Sequence, residues 1–575
     1  MTEYLVSILA NMGMIAFVAL SAYLLLILGQ ISFGQQGFFA IGAYVAGLCT
    51  AVWQLPLLFA IPVGAAVAGI AGGLLGLPTL RLQGLYFAIS TLAFGEMMRL
   101  LLNIFRYQTE IDGEMVGPNG AEGFRDIRYV FENDISQTEY VLLIYAILLL
   151  VLSGFFILER ARLGSVFRMI GEDELAASAQ GINVAGFKLL AVVTAGVIAG
   201  IGGALYAHFT TYLEPSNFGI MLGVHSLAYG LIGGLGTAFG PILGVGLDIG
   251  LLESLRGLSQ YRMIIFGGLV AVLLIFRHRG LLDEQLMHRF FPPRHRRQAR
   301  NRASATTISL GGQRRLHQST DMDEQTLLSL EGVTMKYGAN TVLSEFRMQM
   351  VKGDAVGLIG PNGAGKTTLF NIITGVVTPT DGRIRFCGEN ILGRPTHSIT
   401  RLGLSRTFQN LRLFQRLTVF DNVWSAQHRL PGVSVWRTVF PDSLVEDARR
   451  ERVYELLELT GLLEKADVLA ASLPPGELRK LELARALARE PKLLLLDEPT
   501  AGMVPKETET VKEILRRVMA SGVSLILVEH KLDVVMDLCD RVIVLNFGKK
   551  ISEGSPKLVQ EDPKVIEAYT GLGTK

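Results

Sequence analysis

Charged residues are scarce in this chain of 575 residues: only 18% are Asp, Glu, Lys or Arg, while 50% are hydrophobic. Soluble domains carry about 25% charged residues, so the composition excludes a wholly water-soluble protein. Long apolar runs occur up to about Phe276, and residues after about Asp321 have the mixed composition of a globular α/β domain. The chain therefore joins a membrane-embedded half to a soluble half. Its net charge of +2 identifies no partner, because the basic residues are clustered locally.

Cysteine is also rare. The three cysteines, Cys49, Cys387 and Cys539, lie far apart, which argues against a disulfide framework and a cysteine-based metal knuckle. The N-terminus has no basic stretch before its first apolar run, and no small-residue cleavage site follows that run. A basic stretch and a cleavage site are both typical of cleaved secretory signals, and this N-terminus has neither. We therefore expect residues 5–29 to be a retained membrane span.

Nine apolar segments approach the roughly 20 residues that a bilayer crossing needs, and we expect eight or nine crossings. The segments are 5–29, 31–53, 55–79, 84–105, 139–158, 188–208, 217–233, 236–256 and 261–276. Several are rich in Gly and Ala, which is typical of closely packed membrane helices. The polar stretch 29–37 has two open interpretations: a broken or re-entrant helix that lines the pathway, or a polar loop beside small packing residues.

The charges of two loops predict the orientation. Residues 106–137 contain seven acidic and three basic residues, whereas residues 159–168 carry three arginines. Basic loops remain on the cytoplasmic side, so we expect the first loop outside and the second inside. Polar groups within spans are costly in lipid, which makes Gln35, Glu96 and Arg99 candidates for the transport pathway. Arg99 has a second interpretation, because a long side chain can extend to the membrane surface.

A basic segment separates the two halves. Residues 285–320 contain eight arginines and no Asp or Glu. We interpret residues 284–325 as a cytoplasmic linker whose charge favours contact with anionic membrane lipid. No aromatic platform accompanies the arginines, so the sequence does not predict nucleic-acid binding.

A phosphate-binding motif lies in the second half. Gly360-Pro-Asn-Gly-Ala-Gly-Lys366-Thr367-Thr368 follows the apolar stretch 355–359 and fits the spacing G-x-x-x-x-G-K-[ST]. Such a loop directs backbone N–H groups and the N-terminus of a helix at phosphate oxygens, and Thr367 would supply a hydroxyl to Mg²⁺. The predicted nucleotide contacts are Asn362, Gly363, Gly365, Lys366, Thr367 and Thr368.

Two carboxylates follow a second apolar strand. Leu493–Leu496 precedes Asp497 and Glu498, and the carboxyl ends of parallel strands meet at one edge of a sheet. We expect Asp497 to bind Mg²⁺ and Glu498 to polarise the attacking water, as in other phosphate-loop NTPases. His530 ends another apolar strand, 524–528.

From Leu327 onward the sequence resembles the ATPase domain of ATP-binding cassette transporters. The resemblance implies that Tyr337 stacks on adenine and that His530 contacts the γ-phosphate. It also implies that Gln409, in Arg406-Thr-Phe-Gln-Asn410, senses Mg²⁺ and the attacking water while linking the catalytic core to a helical subdomain at about 410–490.

Two positions depart from the pattern of that family. Where many relatives have Leu-Ser-Gly-Gly-Gln, this chain has Leu473-Pro-Pro-Gly476-Glu477, a variant that resembles the branched-chain amino acid branch. Gly476 is then expected at the nucleotide, but Pro474 offers neither a hydroxyl nor an N–H. Val504 replaces an expected Asn. The two composite ATP sites of an assembled transporter are thus predicted to hydrolyse unequally.

Residues 5–283 resemble the smaller permease of branched-chain amino acid importers. The similarity rests on four segments in order: 84–96, 117–120, 232–236 and 277–281. Residues 174–181, Glu-Leu-Ala-Ala-Ser-Ala-Gln-Gly, resemble the E-A-A-x-x-x-G pattern that docks an importer permease on its ATPase; taken alone, they also fit an ordinary amphipathic connector.

These resemblances imply a helical polytopic membrane domain (1–283), the basic linker (284–325) and an α/β phosphate-loop ATPase domain (326–575). They imply ATP and Mg²⁺ as cofactors. They also imply a second permease and a second ATPase, or a homodimer that supplies both, together with a periplasmic or extracellular binding protein. The expected location is the bacterial inner membrane, with the ATPase in the cytoplasm.

The substrate stays open at this stage. Branched-chain amino acids are the leading candidate, while similar permeases are thought to handle urea, amides or aromatic acids. A regulatory membrane ATPase without transport is a competing class, against which the many Gly-rich spans and the docking pattern argue. A homodimeric exporter would need long amphipathic helices between spans, and the sequence has none.

Overall fold

A computed structural model of the chain describes residues 3–82, 84–111, 113–252, 261–277, 280–282, 326–427 and 443–570. The chain forms two compact units. The first contains Met1–Glu172 and Val184–Pro292, and the second contains Asp173–Asn183 and Pro293–Lys575. The predicted linker and residues 428–442 of the predicted helical subdomain lie outside the described residues.

Apolar helices make up most of the first unit. In chain order they are α1 (Glu3–Ile27), α2 (Gln35–Gly47, continued by a π-helical stretch Leu48–Val52), α3 (Leu57–Thr79), α4 (Leu85–Ile104), α5 (Tyr129–Glu132), α6 (Gln137–Arg160) and α7 (Arg162–Glu172). After α8 (Glu174–Ala179), which belongs to the second unit, follow α9 (Val184–Thr210), α10 (Ile220–Gly233), α11 (Phe239–Val245, continued by Gly246–Leu252) and α12 (Arg262–Phe276).

Among the described residues, six helices are long and apolar enough to cross a membrane: α1, α2 with its continuation, α3, α4, α6 and α9. The last three predicted spans contain the shorter apolar helices Ile220–Gly233, Phe239–Gly250 and Ile264–Leu273. All nine predicted spans therefore contain a helix, and the prediction of a polytopic helical fold is confirmed.

Small residues allow these helices to pack closely. A Cβ atom on Gly196 of α9 would lie 2.6 Å from the carbonyl oxygen of Ala68 in α3, and one on Gly72 would lie 2.8 Å from that of Val192. Such distances are too short for a side chain, so the glycines are what lets α3 and α9 touch backbone to backbone. The packed bundle expected from the Gly-rich spans is present.

Two connections between the helices of the first unit have a defined structure. Residues 28–34 are not helical, so α1 and α2 are separate helices joined by a polar link. The acidic loop forms a small antiparallel sheet of β1 (Thr109–Ile111), β2 (Glu114–Pro118) and β3 (Phe124–Arg125). The sequence does not predict this sheet.

The second unit contains two further sheets. The antiparallel one has the order β5-β4-β7-β8, from β4 (Thr326–Tyr337), β5 (Asn340–Val351), β7 (Asp381–Phe386) and β8 (Glu389–Asn390). The other has the order β13-β12-β6-β11-β10-β9 and is parallel except for β13. Its strands are β6 (Ala355–Ile359), β9 (Leu404–Arg406), β10 (Leu493–Asp497), β11 (Ser524–Val528), β12 (Arg541–Asn546) and β13 (Lys549–Gly554).

The three central strands β6, β10 and β11 are buried at every residue, as continuous apolar runs predict for a covered parallel sheet. Helices accompany the strands: α13 (Lys366–Ile373), α14 (Thr396–Arg401), α15 (Val419–Ala426), α16 (Ser443–Leu459), α17 (Pro475–Leu487), α18 (Pro505–Ala520), α19 (Leu532–Leu538), α20 (Pro556–Glu561) and α21 (Pro563–Thr570). The α/β class predicted for this half is confirmed, and the carboxyl ends of β6, β9, β10 and β11 meet at one edge.

Candidate functional site

The phosphate loop connects β6 to α13. Gly360 has φ +150°, and a Cβ atom there would overlap the carbonyl oxygen of Leu545 in β12. Gly365, immediately before α13, has φ +102°, a conformation that glycine adopts without strain. The motif thus folds as a tight turn between a buried strand and a helix N-terminus, the arrangement that binds phosphate.

The ammonium of Lys366 lies over this turn. Its Nζ donates to the carbonyl oxygens of Gly360 at 2.6 Å and Pro361 at 3.0 Å, and the residue is buried. Burial lowers the pKa of Lys366, while the charges of Glu498 and Asp497 oppose that shift. The loop therefore holds the ammonium in place through charge-assisted hydrogen bonds to two carbonyl oxygens, a role that phosphate oxygens can take over.

The other predicted loop residues line the same turn. Asn362, Gly363 and Thr367 are exposed, whereas Gly365 is buried and Thr368 is partly buried. The hydroxyl of Thr367 belongs to the first turn of α13, beside Lys366. Tyr337 ends β4 with 52% of its surface exposed. Its ring is therefore available for stacking.

Asp497 ends β10 and is almost fully buried. Its Oδ2 lies 3.5 Å from a guanidinium nitrogen of Arg406, and its backbone N–H donates to Oγ1 of Thr407 at 3.1 Å. Burial raises the pKa of Asp497, and Arg406 partly offsets this effect. The carboxylate is thus fixed between two neighbouring strand ends, β9 and β10.

Three predicted catalytic side chains come together at Glu498. Its Oε1 accepts a hydrogen bond of 2.9 Å from Nε2 of Gln409 and lies 3.0 Å from Nε2 of His530. Glu498 has φ +51°, which is strained for a residue with a side chain. Its N–H donates to the carbonyl oxygen of Val528 at 2.8 Å, and this bond holds the strained residue against β11.

The structure does not bring Gly476 into this cluster. Gly476 lies in the first turn of α17, where a Cβ atom would be 2.7 Å from Oε1 of Glu507 in α18. The preceding Pro474 stands just before the helix, and Val504, before α18, is 58% exposed. The contact of Gly476 with nucleotide stays a prediction.

Two residues of α17 that the sequence pattern does not single out support the cluster. Arg479 donates to the backbone carbonyl of Glu498 at 3.0 Å, and Oε1 of Glu482 accepts the N–H of Phe408 at 3.1 Å. Burial raises the pKa of Glu482 to about 7, although nearby Arg485 opposes the shift. Glu482 and Arg485 form a buried pair, with a guanidinium nitrogen 3.8 Å from Oε1. The one sequence signal for this pair is the spacing of three residues between the two charges.

Helix α8 also belongs to the second unit. Asp173 caps it by accepting the N–H of Ala176 at 2.9 Å, and its other oxygen lies 2.6 Å from a guanidinium nitrogen of Arg412. Further along, the carbonyl of Gly181 accepts from Nε of Arg401 at 3.3 Å, and that of Gln180 accepts from Arg489. The predicted docking of this segment near the glutamine loop is confirmed. The predicted pattern begins at Glu174, and the ion pair with Arg412 is made by Asp173, the residue before it.

No group of three or more His, Cys, Asp or Glu side chains forms a metal site within the described residues. The predicted ligands Thr367, Gln409 and Asp497 offer a hydroxyl, an amide and a carboxylate. Such oxygen donors suit Mg²⁺, which usually binds one or two protein groups together with substrate phosphates. The donor set at the strand ends therefore fits a nucleotide-bound Mg²⁺ better than an all-protein metal site.

Both halves of the chain match known families. Residues 4–276 match the branched-chain amino acid transport system / permease component family. Residues 343–501 match the ABC transporter family, and residues 549–572 match the branched-chain amino acid ATP-binding cassette transporter family. The permease match and the ATPase matches are consecutive, in the order that the sequence predicts.

Known relatives align with the ATPase half. The high-affinity branched-chain amino acid transport ATP-binding protein BraF of Pseudomonas aeruginosa is 38% identical over 249 residues, which cover 43% of this chain and 98% of BraF. The corresponding protein LivG of Escherichia coli strain K12 is 38% identical over 251 residues, with coverages of 43% and 98%. The lipopolysaccharide export system ATP-binding protein LptB of Haemophilus influenzae is 33% identical over 246 residues, again with 43% and 98%.

A solved structure is similar as well. A nucleotide-free ATP-binding cassette from an ABC transporter shows 31% identity and a TM-score of 0.38, with 43% of this chain and 100% of that chain covered. Because the chain spans nearly the full length of BraF and LivG and continues a permease match, the family follows from these sequence relationships. The chain belongs to the branched-chain amino acid family of ATP-binding cassette transporters, and it joins a permease to an ATPase that couples ATP hydrolysis to transport.

Proposed function

We propose that this protein imports branched-chain amino acids across the bacterial inner membrane. The observation that carries the proposal is the separate match of both halves, 4–276 and 549–572, to branched-chain amino acid systems. The chain is a membrane protein with a cytoplasmic ATPase domain. The names of BraF and LivG, both high-affinity branched-chain amino acid transport proteins, support the substrate.

The direction of transport rests on the permease half. The ATPase half is also similar to LptB, which belongs to an export system, so the ATPase alone does not separate import from export. The match over 4–276 is to a permease component of the branched-chain systems, and the predicted family of that permease consists of importers. Import is therefore the proposal that accounts for both halves.

ATP is the substrate of the strand-end site. Phosphate oxygens would replace the carbonyl contacts of Lys366, while the loop from Asn362 to Thr368 surrounds the phosphates and Tyr337 stacks on the base. Glu498, held by Gln409 and near His530, would accept a proton from the attacking water. Positioned groups of this kind accelerate proton transfer by about 10²–10⁴-fold.

Mg²⁺ bound with the nucleotide would neutralise phosphate charge during transfer. The residues that would hold it are Thr367, Gln409 and Asp497. Asp497 is suited to this role because Arg406 keeps its buried carboxylate in position. Gln409, whose amide N–H donates to Glu498, would offer its amide oxygen to the metal.

A second ATPase would complete each ATP site. Gly476 lies beside Glu507 of α18, since a Cβ atom built on it would be 2.7 Å from Oε1 of that residue. We propose that Gly476 faces nucleotide bound by a partner ATPase. Pro474 removes a hydroxyl and an N–H from this contact, and Val504 removes a polar group. The two sites of the assembled transporter are proposed to hydrolyse at different rates.

The remaining partners follow the general organisation of such importers. We propose a second permease, a second ATPase and an external substrate-binding protein; a homodimer of this chain is the alternative source of the permease and ATPase copies. We also propose that the chain consists of a permease domain, a linker and an ATPase domain with the bounds 1–283, 284–325 and 326–575. In this proposal the basic linker contacts anionic membrane lipid.

A comparison of substrates tests the proposal. The chain is reconstituted with its sister subunits and binding protein, and initial rates of ATP-dependent uptake are compared for radiolabelled leucine, urea, acetamide and phenylacetate. The proposal predicts that leucine is taken up fastest and that Lys366→Ala abolishes its uptake. Faster uptake of urea or acetamide, equally dependent on Lys366, would keep the importer and reject the substrate.

A further inference from the structure

Two oppositely charged side chains lie within the membrane helix α4. Nε of Arg99 donates to Oε1 of Glu96 at 3.0 Å, and the two side chains are 25% and 32% exposed. Charged groups within a span are costly in lipid and usually face a pathway or another protein. The pair therefore marks a polar surface on α4, which a helix that only crosses the membrane does not need.

This pair borders a cavity of about 380 Å³. The other lining residues come from the connection between α9 and α10 and from the first turn of α10: Ser216, Asn217, Gly219, Ile220, Met221 and Leu222. The lining thus combines two opposite charges, two small polar side chains and three apolar ones. The loop charges predict that this end of α9 faces the outside, where substrate arrives.

A buried amide lies beside Gly95, the residue before Glu96. Gln36 of α2 is fully buried, and a Cβ atom built on Gly95 of α4 or on Gly223 of α10 would overlap its amide. Neither atom of this amide has a hydrogen-bond partner among the residues described. The amide therefore supplies a polar group between α4 and α10, the two helices that line the cavity.

We propose that the cavity binds the zwitterionic head group of an aliphatic α-amino acid. Arg99 binds the carboxylate and Glu96 binds the ammonium, while the amide of Gln36 is the next polar contact between α4 and α10. Charge-assisted hydrogen bonds to substrate replace those between Glu96 and Arg99, so neither charge is left unpaired. The aliphatic side chain then contacts residues 220–222. This inference rests on the proposed import function and names the chemistry of its substrate.

Uptake by the reconstituted full transporter tests the site. Initial rates of leucine uptake are measured for the wild type, Glu96→Gln and Arg99→Gln. The matched control is Arg128→Gln, because Arg128 pairs with Asp126 at 2.5 Å outside the cavity. Loss of a charge-assisted contact should reduce uptake roughly ten-fold or more in either cavity variant, with the control at the wild-type rate. Hydrolysis of ATP without substrate, unchanged in all three, reports that each variant is folded.

Exchanging the two charges of α4 distinguishes a site that binds substrate from an ion pair that only neutralises two charges in the membrane. The double variant Glu96→Arg with Arg99→Glu keeps an ion pair on α4 but reverses its order. The proposal predicts that uptake stays low, because the head group binds in one orientation; uptake restored to the wild-type rate would overturn it. Gln36→Leu should also reduce uptake without lowering the midpoint of thermal unfolding, since no internal hydrogen bond is lost.

The outcomes distinguish this site from the import function. Wild-type uptake of leucine with unchanged rates in Glu96→Gln and Arg99→Gln would reject the site and keep the function. Wild-type uptake of urea or acetamide, but of no α-amino acid, would reject the substrate class and the site together.

Discussion

A guanidinium nitrogen of Arg412 lies 2.6 Å from Oδ2 of Asp173, and this ion pair attaches α8 to the segment that follows Gln409. The same guanidinium lies 5.6 Å from the ring centroid of Phe408, the residue before Gln409. Gln409 in turn donates to Glu498. A continuous set of contacts therefore leads from α8 to the proposed catalytic carboxylate.

Asp173→Ala should separate transport from hydrolysis. We expect the number of leucine molecules taken up per ATP to fall about five-fold or more, because coupling free energies between sites are typically about 1–3 kcal/mol. The pair is partly exposed, so its contribution to the free energy of unfolding should be about 1 kcal/mol or less. The measurement is uptake and phosphate release on the same proteoliposomes.

Arg517→Ala is the control for this prediction, since Arg517 and Glu513 form an exposed pair of 2.7 Å within α18. Its ratio of uptake to hydrolysis should equal that of the wild type. A wild-type ratio in Asp173→Ala would contradict a coupling role for this contact.

Glu498→Gln should stop hydrolysis while ATP still binds. A glutamine keeps the shape and still accepts a hydrogen bond from Gln409, but it cannot take a proton from water. Phosphate release should therefore fall about 100-fold or more, with the dissociation constant for ATP within a few-fold of the wild type. Glu513→Gln, at an exposed pair with Arg517, should leave both unchanged. Turnover at the wild-type rate would remove Glu498 from its assigned role.

Glu482 should make the stability of the ATPase domain depend on pH. Burial raises its pKa from 4.5 to about 7, so the folded chain binds the proton more tightly than the unfolded chain. The stabilisation from this proton is fully present below pH 4.5 and is lost as the pH rises through about 7. Glu482→Gln cannot titrate, so its unfolding free energy relative to the wild type should rise across this range. Thermal unfolding of the detergent-solubilised full chain at several pH values measures this difference, and parallel curves for both proteins would contradict it.

Gly360→Ala should disturb the phosphate loop more than Gly393→Ala does. Both glycines have positive φ, but a Cβ on Gly360 would overlap the carbonyl of Leu545, whereas nothing lies within 4 Å at Gly393. We expect a loss of about 2 kcal/mol or more in unfolding free energy at Gly360, from strain together with overlap. At Gly393 we expect about 1 kcal/mol, with ATP affinity unchanged. If both substitutions lowered the unfolding free energy equally, the overlap of the new Cβ with the carbonyl of Leu545 would add no strain, which contradicts this prediction.

The sequence predicted the parts of the site that depend on local patterns. The turn from Gly360 to Lys366 follows from its glycine spacing, and Asp497 follows from the buried strand before it. The meeting of Glu498, Gln409 and His530 required knowledge of strand order, which the family resemblance supplied. The Asp173 contact was missed because its two partners are 239 residues apart, so no local pattern connects them.

The fold of the membrane half was predictable in outline. Apolar length gave the helices, but it overestimated the span at 217–233, since α10 begins at Ile220 and ends before Gly234, whose φ is +97°. The three short strands of the acidic loop were missed, because β1 and β3 have only three and two residues. Segments so short show no clear alternation of apolar and polar residues.

ATP-dependent accumulation of radiolabelled leucine tests the central claim most directly. Proteoliposomes contain this chain with its sister subunits, ATP is enclosed on the side of the ATPase domain, and the loaded binding protein is added on the opposite side. We predict that leucine accumulates on the ATPase side against its gradient and that Lys366→Ala shows no accumulation. Hydrolysis of ATP without accumulation of leucine, or movement of leucine away from the ATPase side, would contradict the account.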